Sequence, residues 1–287
     1  MSSQITTAYV KQFSDGITLL AQQKMSRLAG AVRVEAGITG DRAFFDQVGK
    51  SEMSERAGRH TDTVLTDTPQ TRRMVTMKTY DKADMVDKRD EVRVLNNPIN
   101  AYTKSYAAAA NRKKDKIIID AMTATAYTGV DGGTSTSFDT TNYQIAHGSA
   151  GLTLAKIVEA KKILKAAEND PDQPWYFIYS AEQLEDVLND STITSADYNS
   201  VRLLQQGEIN SFMGFQWIHS EQLPSASSVR SCYAWVRDCV LLGVSTEISG
   251  SVDRRPDKNN GLQVSYTMDM GATRMDETGV VEILCSE

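Results

Sequence analysis

Apolar and polar positions divide the 287-residue chain into stretches of different character. In residues 5–28, Ile5, Tyr9, Phe13, Ile17, Leu20 and Leu28 recur near a helical period, and Gly16 interrupts them, so a partly helical arm is expected. Val32, Val34 and Ile38 lead through Gly37 and Gly40 into residues 42–94, which are almost wholly polar. Within that segment residues 43–50 and 72–80 have the Val, Thr, Phe and Tyr content of extended arms. Asp62, Thr63, Thr66, Asp67, Thr68 and Pro69 predict a turn-rich tip between the arms. Pro98 then stands at the first position of the longest helical pattern, which runs to about Thr125 without another Gly or Pro. A helix of about 27 residues spans about 40 Å.

Residues 129–149 are rich in Gly, Ser and Thr and read as a linker or surface loop that marks a boundary in composition. Beyond it the pattern is that of an α/β domain. Leu154, Ile157, Val158, Leu164 and Ala167 lie at helical spacing behind Thr153, and Asn169-Asp170-Pro171 stops that helix. Trp175-Tyr176-Phe177-Ile178-Tyr179 is apolar on both faces and predicts a central strand covered on both sides. Ser180 with Gln183 forms a capping box for a helix whose inner face is Leu184, Val187 and Leu188. A short helix is expected over residues 196–206, ended by Gly207. Alternation around Phe215, Trp217 and His219, an apolar run over 231–244, and further alternation over 262–268 and 280–284 predict strands.

The polar segment poses an energetic problem. Residues 51–73 offer only Met53, Val64 and Leu65 as large apolar groups. Ordering about forty residues of backbone costs on the order of 40–80 kcal/mol, which calls for roughly 1,600 Å² or more of buried apolar surface. A lone two-stranded hairpin is marginal in water. Three readings of the segment stay open: a disordered loop, a solvated hairpin with no partner, and an arm that becomes ordered against another chain. The interleaving of Arg56, Arg59, Arg72, Arg73, Lys78 and Lys82 with Glu52, Glu55, Asp62, Asp67, Asp81 and Asp84 favours contact between identical copies.

Charge adds little to this picture. The net charge of −6 argues against a protein whose main task is gripping nucleic acid. Lys11, Lys24, Arg27 and Arg33 against Asp15 alone make residues 1–34 mildly basic, a solvated face or a surface toward a polyanion. Arg112-Lys113-Lys114-Asp115-Lys116 interrupts the apolar face of the long helix, and either solvent or a neighbour's acidic side or enclosed polyanion would meet it. Cys232, Cys239 and Cys285 lie in apolar surroundings without C-x-x-C spacing and read as buried free thiols in a reducing compartment. No run of eighteen apolar residues and no signal-peptide pattern occurs, so a cytosolic site of synthesis is expected.

Candidate chemistry is sparse. His60, His147 and His219 stand apart; the first two lie in polar loops, and His219 alternates with aromatics as a packed strand residue. No phosphate-binding loop, dinucleotide fingerprint or nucleophile elbow is present. Asp81, Asp84 and Asp87, or Asp90 and Glu91, could hold a divalent cation, but Lys82, Lys88 and Arg89 alternate with them and favour internal pairing. No catalytic residue, cofactor or metal is expected.

The order of parts resembles the major capsid proteins of tailed bacteriophages, the Hong Kong-ninety-seven-type fold. The residues that carry the resemblance are Asp67-Thr68-Pro69-Gln70-Thr71-Arg72-Arg73 before Tyr80-Asp81-Lys82-Ala83-Asp84. Gly207-Glu208-Ile209, Gly214-Phe215-Gln216-Trp217 and Ser220-Glu221-Gln222-Leu223-Pro224 support it. The resemblance implies an α+β capsid fold with an N-terminal arm (residues 1–40) and an extended β-hairpin loop with flanking strands (41–97). It also implies a spine helix of the peripheral domain (98–125), an axial domain (126–244), and C-terminal strands completing the peripheral domain (245–287). The implied function is self-assembly into pentamers and hexamers of an icosahedral shell around double-stranded DNA, in the virion and, during assembly, in the host cytoplasm. The implied partners are further copies of the chain, a separate scaffolding protein, a portal, a cement protein and packaged DNA touched without sequence reading, with no membrane. Arg56, Arg59, Arg72, Arg73, Lys78, Asp67, Asp81 and Asp84 are the candidate inter-subunit contacts. The competing readings are a cytosolic α/β enzyme or ligand-binding protein with residues 41–97 as a lid, and a bacterial nanocompartment shell protein.

Overall fold

The run Trp175–Tyr179 has no polar face to offer solvent, and in the computed structural model it is an inner strand whose five residues are all buried. The structure describes residues 22–56, 58–59, 62, 65–86, 99–189 and 210–287. Most of the arm expected over 5–28, the helix expected over 196–206, His60, and the carboxylates Asp87, Asp90 and Glu91 lie outside these residues.

The chain begins with β1 (Arg33–Ala36), β2 (Arg42–Val48), β3 (Gln70–Thr76) and β4 (Lys78–Val86), followed by α1 (Ile99–Thr123). Next come β5 (Ala126–Thr128), β6 (Thr134–Thr136), β7 (Gln144–Ile145), α2 (Leu154–Ala166), β8 (Trp175–Tyr179) and α3 (Ala181–Asn189). The rest is strand: β9 (Ser211–Phe212), β10 (Phe215–His219), β11 (Ser225–Ala226), β12 (Val229–Val236), β13 (Val240–Arg255), β14 (Gly261–Arg274) and β15 (Val280–Ser286). The described residues fall into two compact units, one built from residues up to 25, 80–112 and 248–268, the other from 26–79, 113–247 and 269–287.

In the larger unit a mixed sheet has the order β7-β15-β12-β8-β10-β9, with β11 paired to β12. Its central strands are aromatic, and the rings stack across them: Phe177 on Trp217 at 4.4 Å and Tyr176 on Trp235 at 5.7 Å. Amphipathic α2 buries Lys156, Ile157, Ala160 and Leu164, one stripe of its surface. The Lys156 Nζ is satisfied by carbonyls of His147, Ala150, Gly151 and Leu284 at 2.7–3.0 Å, which pins the turn before α2 to β15. Thr153 takes the N-cap conformation without a side-chain hydrogen bond. Half of the expected capping box forms at α3: Gln183 Oε1 accepts from both the backbone N–H and the hydroxyl of Ser180, and no bond returns from Gln183 to the Ser180 oxygen.

Three boundaries differ from those expected. Residues 26–36 are body rather than arm: Leu28, Ala31 and Val32 are buried, Trp235 Nε1 donates to Ala31 O at 2.9 Å, and β1 runs parallel to residues 241–244 of β13. Residues 129–149 are no linker, because β5 adds to β3, β6 pairs with β5, and β7 lies beside β15. The Gly, Ser and Thr content reflects tight turns; Gly132 sits at φ 70°, where a Cβ would fall 2.4 Å from Met74 Sδ. The C-terminal strands also divide: β15 lies in the mixed sheet between β7 and β12, whereas β13 and β14 belong to a sheet of order β1-β13-β14-β4.

β14 of that last sheet closely approaches the end of β3. A Cβ on Gly271 would lie 2.2 Å from the carbonyl oxygen of Thr76, backbone that cannot swing aside. Gly271→Ala is therefore expected to destabilise the fold by about 1–3 kcal/mol, read as a lower urea midpoint; an unchanged midpoint would show that the strands can separate freely here.

In the smaller unit the first half of α1 sets Tyr106 edge-on to Tyr266 at 6.1 Å, and Tyr106 OH donates to Asp84 Oδ2 at 3.1 Å. Arg112 Nη1 donates to Gln22 Oε1 at 2.8 Å, so part of the basic stretch holds the chain's own N-terminal residues.

Candidate functional site

The β2–β3 hairpin carries the polar segment, paired antiparallel from Arg42 opposite Thr76 to Val48 opposite Gln70. At its outer end Gly49 N–H donates to Pro69 O at 2.7 Å, the last rung of the ladder. Beyond that rung every described residue up to Pro69 is exposed. Met53 and Leu65 are 103% and 90% exposed, so among the described residues nothing covers these two apolar side chains of the loop. A groove of about 580 Å³ lies at the base of the loop, lined by Asp46, Gln47, Val48, Gln70, Thr71, Arg72, Thr128, Gly129 and Val130.

The root of the hairpin is the opposite of its tip. Arg73 is buried; its Nε donates to Met275 O at 3.0 Å and its Nη2 lies 3.1 Å from Glu277 Oε1. The other Glu277 oxygen, Oε2, accepts from Arg274 Nη2 at 3.0 Å. Arg274, fully buried, donates through Nη1 to Met122 O at 2.7 Å and Ala124 O at 3.0 Å, carbonyls that the end of α1 leaves without helical partners. Burial lowers the pKa of Arg274, and the Glu277 carboxylate works against that shift. One carboxylate thus joins two guanidinium groups, and through them β3, β14 and the end of α1.

The predicted contact residues part company here. Arg56, Arg59, Asp67, Lys78 and Asp81 are exposed. Asp84 is exposed and engaged by Tyr106. Arg72 pairs across the hairpin with Asp46 at 2.5 Å, and that hydrogen bond holds the Asp46 carboxyl below its usual pKa. Arg73 differs from expectation, because its charge is spent inside its own chain.

Asp115 had no counterpart in the sequence reading. It stands in the basic stretch of α1, yet it is 1% exposed. Its Oδ1 accepts from Ser26 Oγ at 2.5 Å and Leu28 N–H at 3.2 Å, and its Oδ2 from Arg27 N–H at 3.1 Å. The Arg27 guanidinium reaches His219, whose ring nitrogen Nε2 meets Glu221 at 2.9 Å. His219, the last residue of β10 and edge-on to Tyr179 at 5.7 Å, is thus a strand residue that is also a half-exposed polar bridge.

Among the described residues no group of three or more His, Cys, Asp or Glu side chains could hold a metal ion. Cys232, Cys239 and Cys285 are buried and free. Burial pushes the Cys239 thiol up to about 12, far from a thiolate at neutral pH. His147 lies in a turn, accepting Ser149 N–H at 3.0 Å. No described helix is long and apolar enough to cross a membrane.

A search of curated proteins finds no match. Among solved structures the fold is shared with Mycobacterium phage Che8 at a TM-score of 0.72 and 19% identity, covering 96% of this chain and 97% of that one. The capsid of Ralstonia phage GP4 gives 0.74 at 11% identity, covering 97% and 95%, and the capsid of a native GTA particle gives 0.73 at 12%, covering 99% and 98%. A family model described as phage capsid protein matches residues 5–287. The chain thus belongs to the phage capsid family, as a major capsid protein whose copies associate into the icosahedral shell of a virion.

Proposed function

We propose that the extended loop is the clamp of this shell: each copy lays its loop over the next, within pentamers and hexamers that close around double-stranded DNA. The observation that carries the reading is the contrast along one hairpin, with Met53 and Leu65 uncovered at the tip and Arg73 locked at the root. A segment that cannot bury itself gains its apolar cover and counter-charges from a neighbour. Head-to-tail contacts of this kind close into rings. Each can be weak, because many act together. Arg56, Arg59, Arg72, Lys78, Asp67, Asp81 and Asp84 are the side chains offered to neighbours, and Arg73 instead sets where the hairpin leaves the body.

On this reading the protein performs no catalysis. It assembles in the host cytoplasm with a separate scaffolding protein, a portal and a cement protein, and it meets packaged DNA through phosphate contacts alone.

The test keeps the last rung and removes what lies beyond it. Excising residues 51–68 while retaining Gly49 and Pro69 should leave the melting temperature of the unassembled chain within a few degrees, since about 1 kcal/mol moves the melting temperature of a chain this size by about 2–4 °C. The same variant should yield no polyhedral particles by electron microscopy where the intact chain does. Particles from the excised chain, or a collapse of its stability, would refute the clamp.

A further inference from the structure

Among the described residues the outer edge of β2 is open. Met77 N–H bonds Asp41 O at 2.8 Å and Gly49 N–H bonds Pro69 O at 2.7 Å, which fixes the odd-numbered residues of β2 as those hydrogen-bonded to β3. Arg42, Phe44, Asp46 and Val48 therefore turn their backbone N–H and C=O groups away from β3, and β2 is the terminal strand in the order β2-β3-β5-β6. Among the described residues those groups have no backbone partner. The same four residues also expose their side chains, with Phe44 at 41% and Val48 at 73%. Folded proteins shield long edges with Pro, Lys, bulges or a covering element. Arg42–Val48 contains neither Pro nor Lys and pairs with β3 without a bulge.

We infer that this edge receives residues 51–56 of a second copy as an added antiparallel strand, an inference that rests on the clamp reading and names its acceptor. Ser51-Glu52-Met53-Ser54-Glu55-Arg56 is exposed throughout, contains no proline, and at about 3.4 Å per residue spans about 20 Å, most of the length of β2. One register satisfies both charge and apolar surface. Setting Glu55 opposite Arg42 places Met53 opposite Phe44 and Ser51 opposite Asp46. Asp46 already has Arg72 as its ion partner and needs no second cation. Arg42 and Glu55 have no ion partner among the described residues. A copy cannot fill its own edge, because the Gly49–Pro69 bond carries its chain onward in line with β2 instead of back along it. The contact is therefore between copies, and repeated around a ring it runs head-to-tail.

Charge exchange tests the register. Arg42→Glu and Glu55→Arg should each lower particle yield about tenfold, and the chain carrying both should recover to within about twofold of the parent, as coupled neighbours do. Melting temperatures of the unassembled variants should stay together, since both side chains are exposed. As a second readout, Phe44→Cys chains co-assembled with Met53→Cys chains and oxidised with glutathione disulfide should give a covalent dimer that neither chain forms alone. Single variants without effect, a double variant no better than the worse single, or particles without the covalent dimer would each overturn the pairing. A parent chain that forms no particles at all would instead overturn the clamp.

Discussion

Glu277→Ala will cost the fold about 3–5 kcal/mol, the toll for removing one member of a buried ionic cluster. The lost carboxylate leaves Arg274 fully buried and Arg73 nearly so, two like charges with no anion between them. Arg73 Nη1 and Arg274 Nε already lack a hydrogen-bond partner among the described residues, so the cluster has no spare acceptor to take up the load. Urea unfolding of the unassembled chain should show the loss as a lower midpoint at unchanged slope. Glu277→Gln should cost less, because its carbonyl still accepts one of the two bonds. Replacing all three residues together, Arg73→Met, Arg274→Met and Glu277→Leu, should recover most of the loss, as apolar substitutes for buried ion clusters do. A deficit below about 1 kcal/mol for Glu277→Ala would place the cluster among surface ion pairs and remove its role as the root of the hairpin.

Asp115→Ala will be nearly as damaging, by about 3 kcal/mol, because unsatisfied buried donors cost about 1–3 kcal/mol each. The Leu28 amide is buried and the Arg27 amide partly so, and both lose their acceptor with Ser26 Oγ. Hydrogen exchange should quicken at residues 26–32 before it does in β8 or β12, since the lost bonds are local. Asp120→Ala, in the same helix but half-exposed and paired with Lys116 at 2.7 Å, should stay within about 0.5 kcal/mol of the parent. Equal losses at the two positions would mean that Asp115 acts only through helix propensity.

Local patterns were legible in the sequence wherever one short stretch decides its own surroundings. The double-faced run of β8, the long helix α1 and the alternation of β10 depend on neighbours a few positions away, and each forms as expected. The ionic cluster was not legible, because Arg73 and Glu277 meet only through the strand order, 204 positions apart. A buried arginine and an exposed one look alike in a sequence. Asp115 offered a faint signal as the lone acid among Arg112, Lys113, Lys114 and Lys116, where a solvated basic face has no need of it. Residues 129–149 misled because turn residues in short strands have the composition of a linker, and the β5–β3 pairing that orders them is supplied by a strand more than fifty positions earlier.

The two ends of the β2–β3 hairpin give the subunit a mechanical character. A rigid lever transmits torque only if its fulcrum does not yield. Here the fulcrum is Glu277, gripped from both sides by Arg73 on β3 and by Arg274 of β14, which also holds the carbonyls at the end of α1. On the clamp reading, force applied to the loop by an adjoining copy would be delivered to the last turn of the helix instead of being lost in a soft hinge. Shell strain and subunit stability then become one quantity, so a particle under load should fail first in subunits whose Glu277 has been replaced.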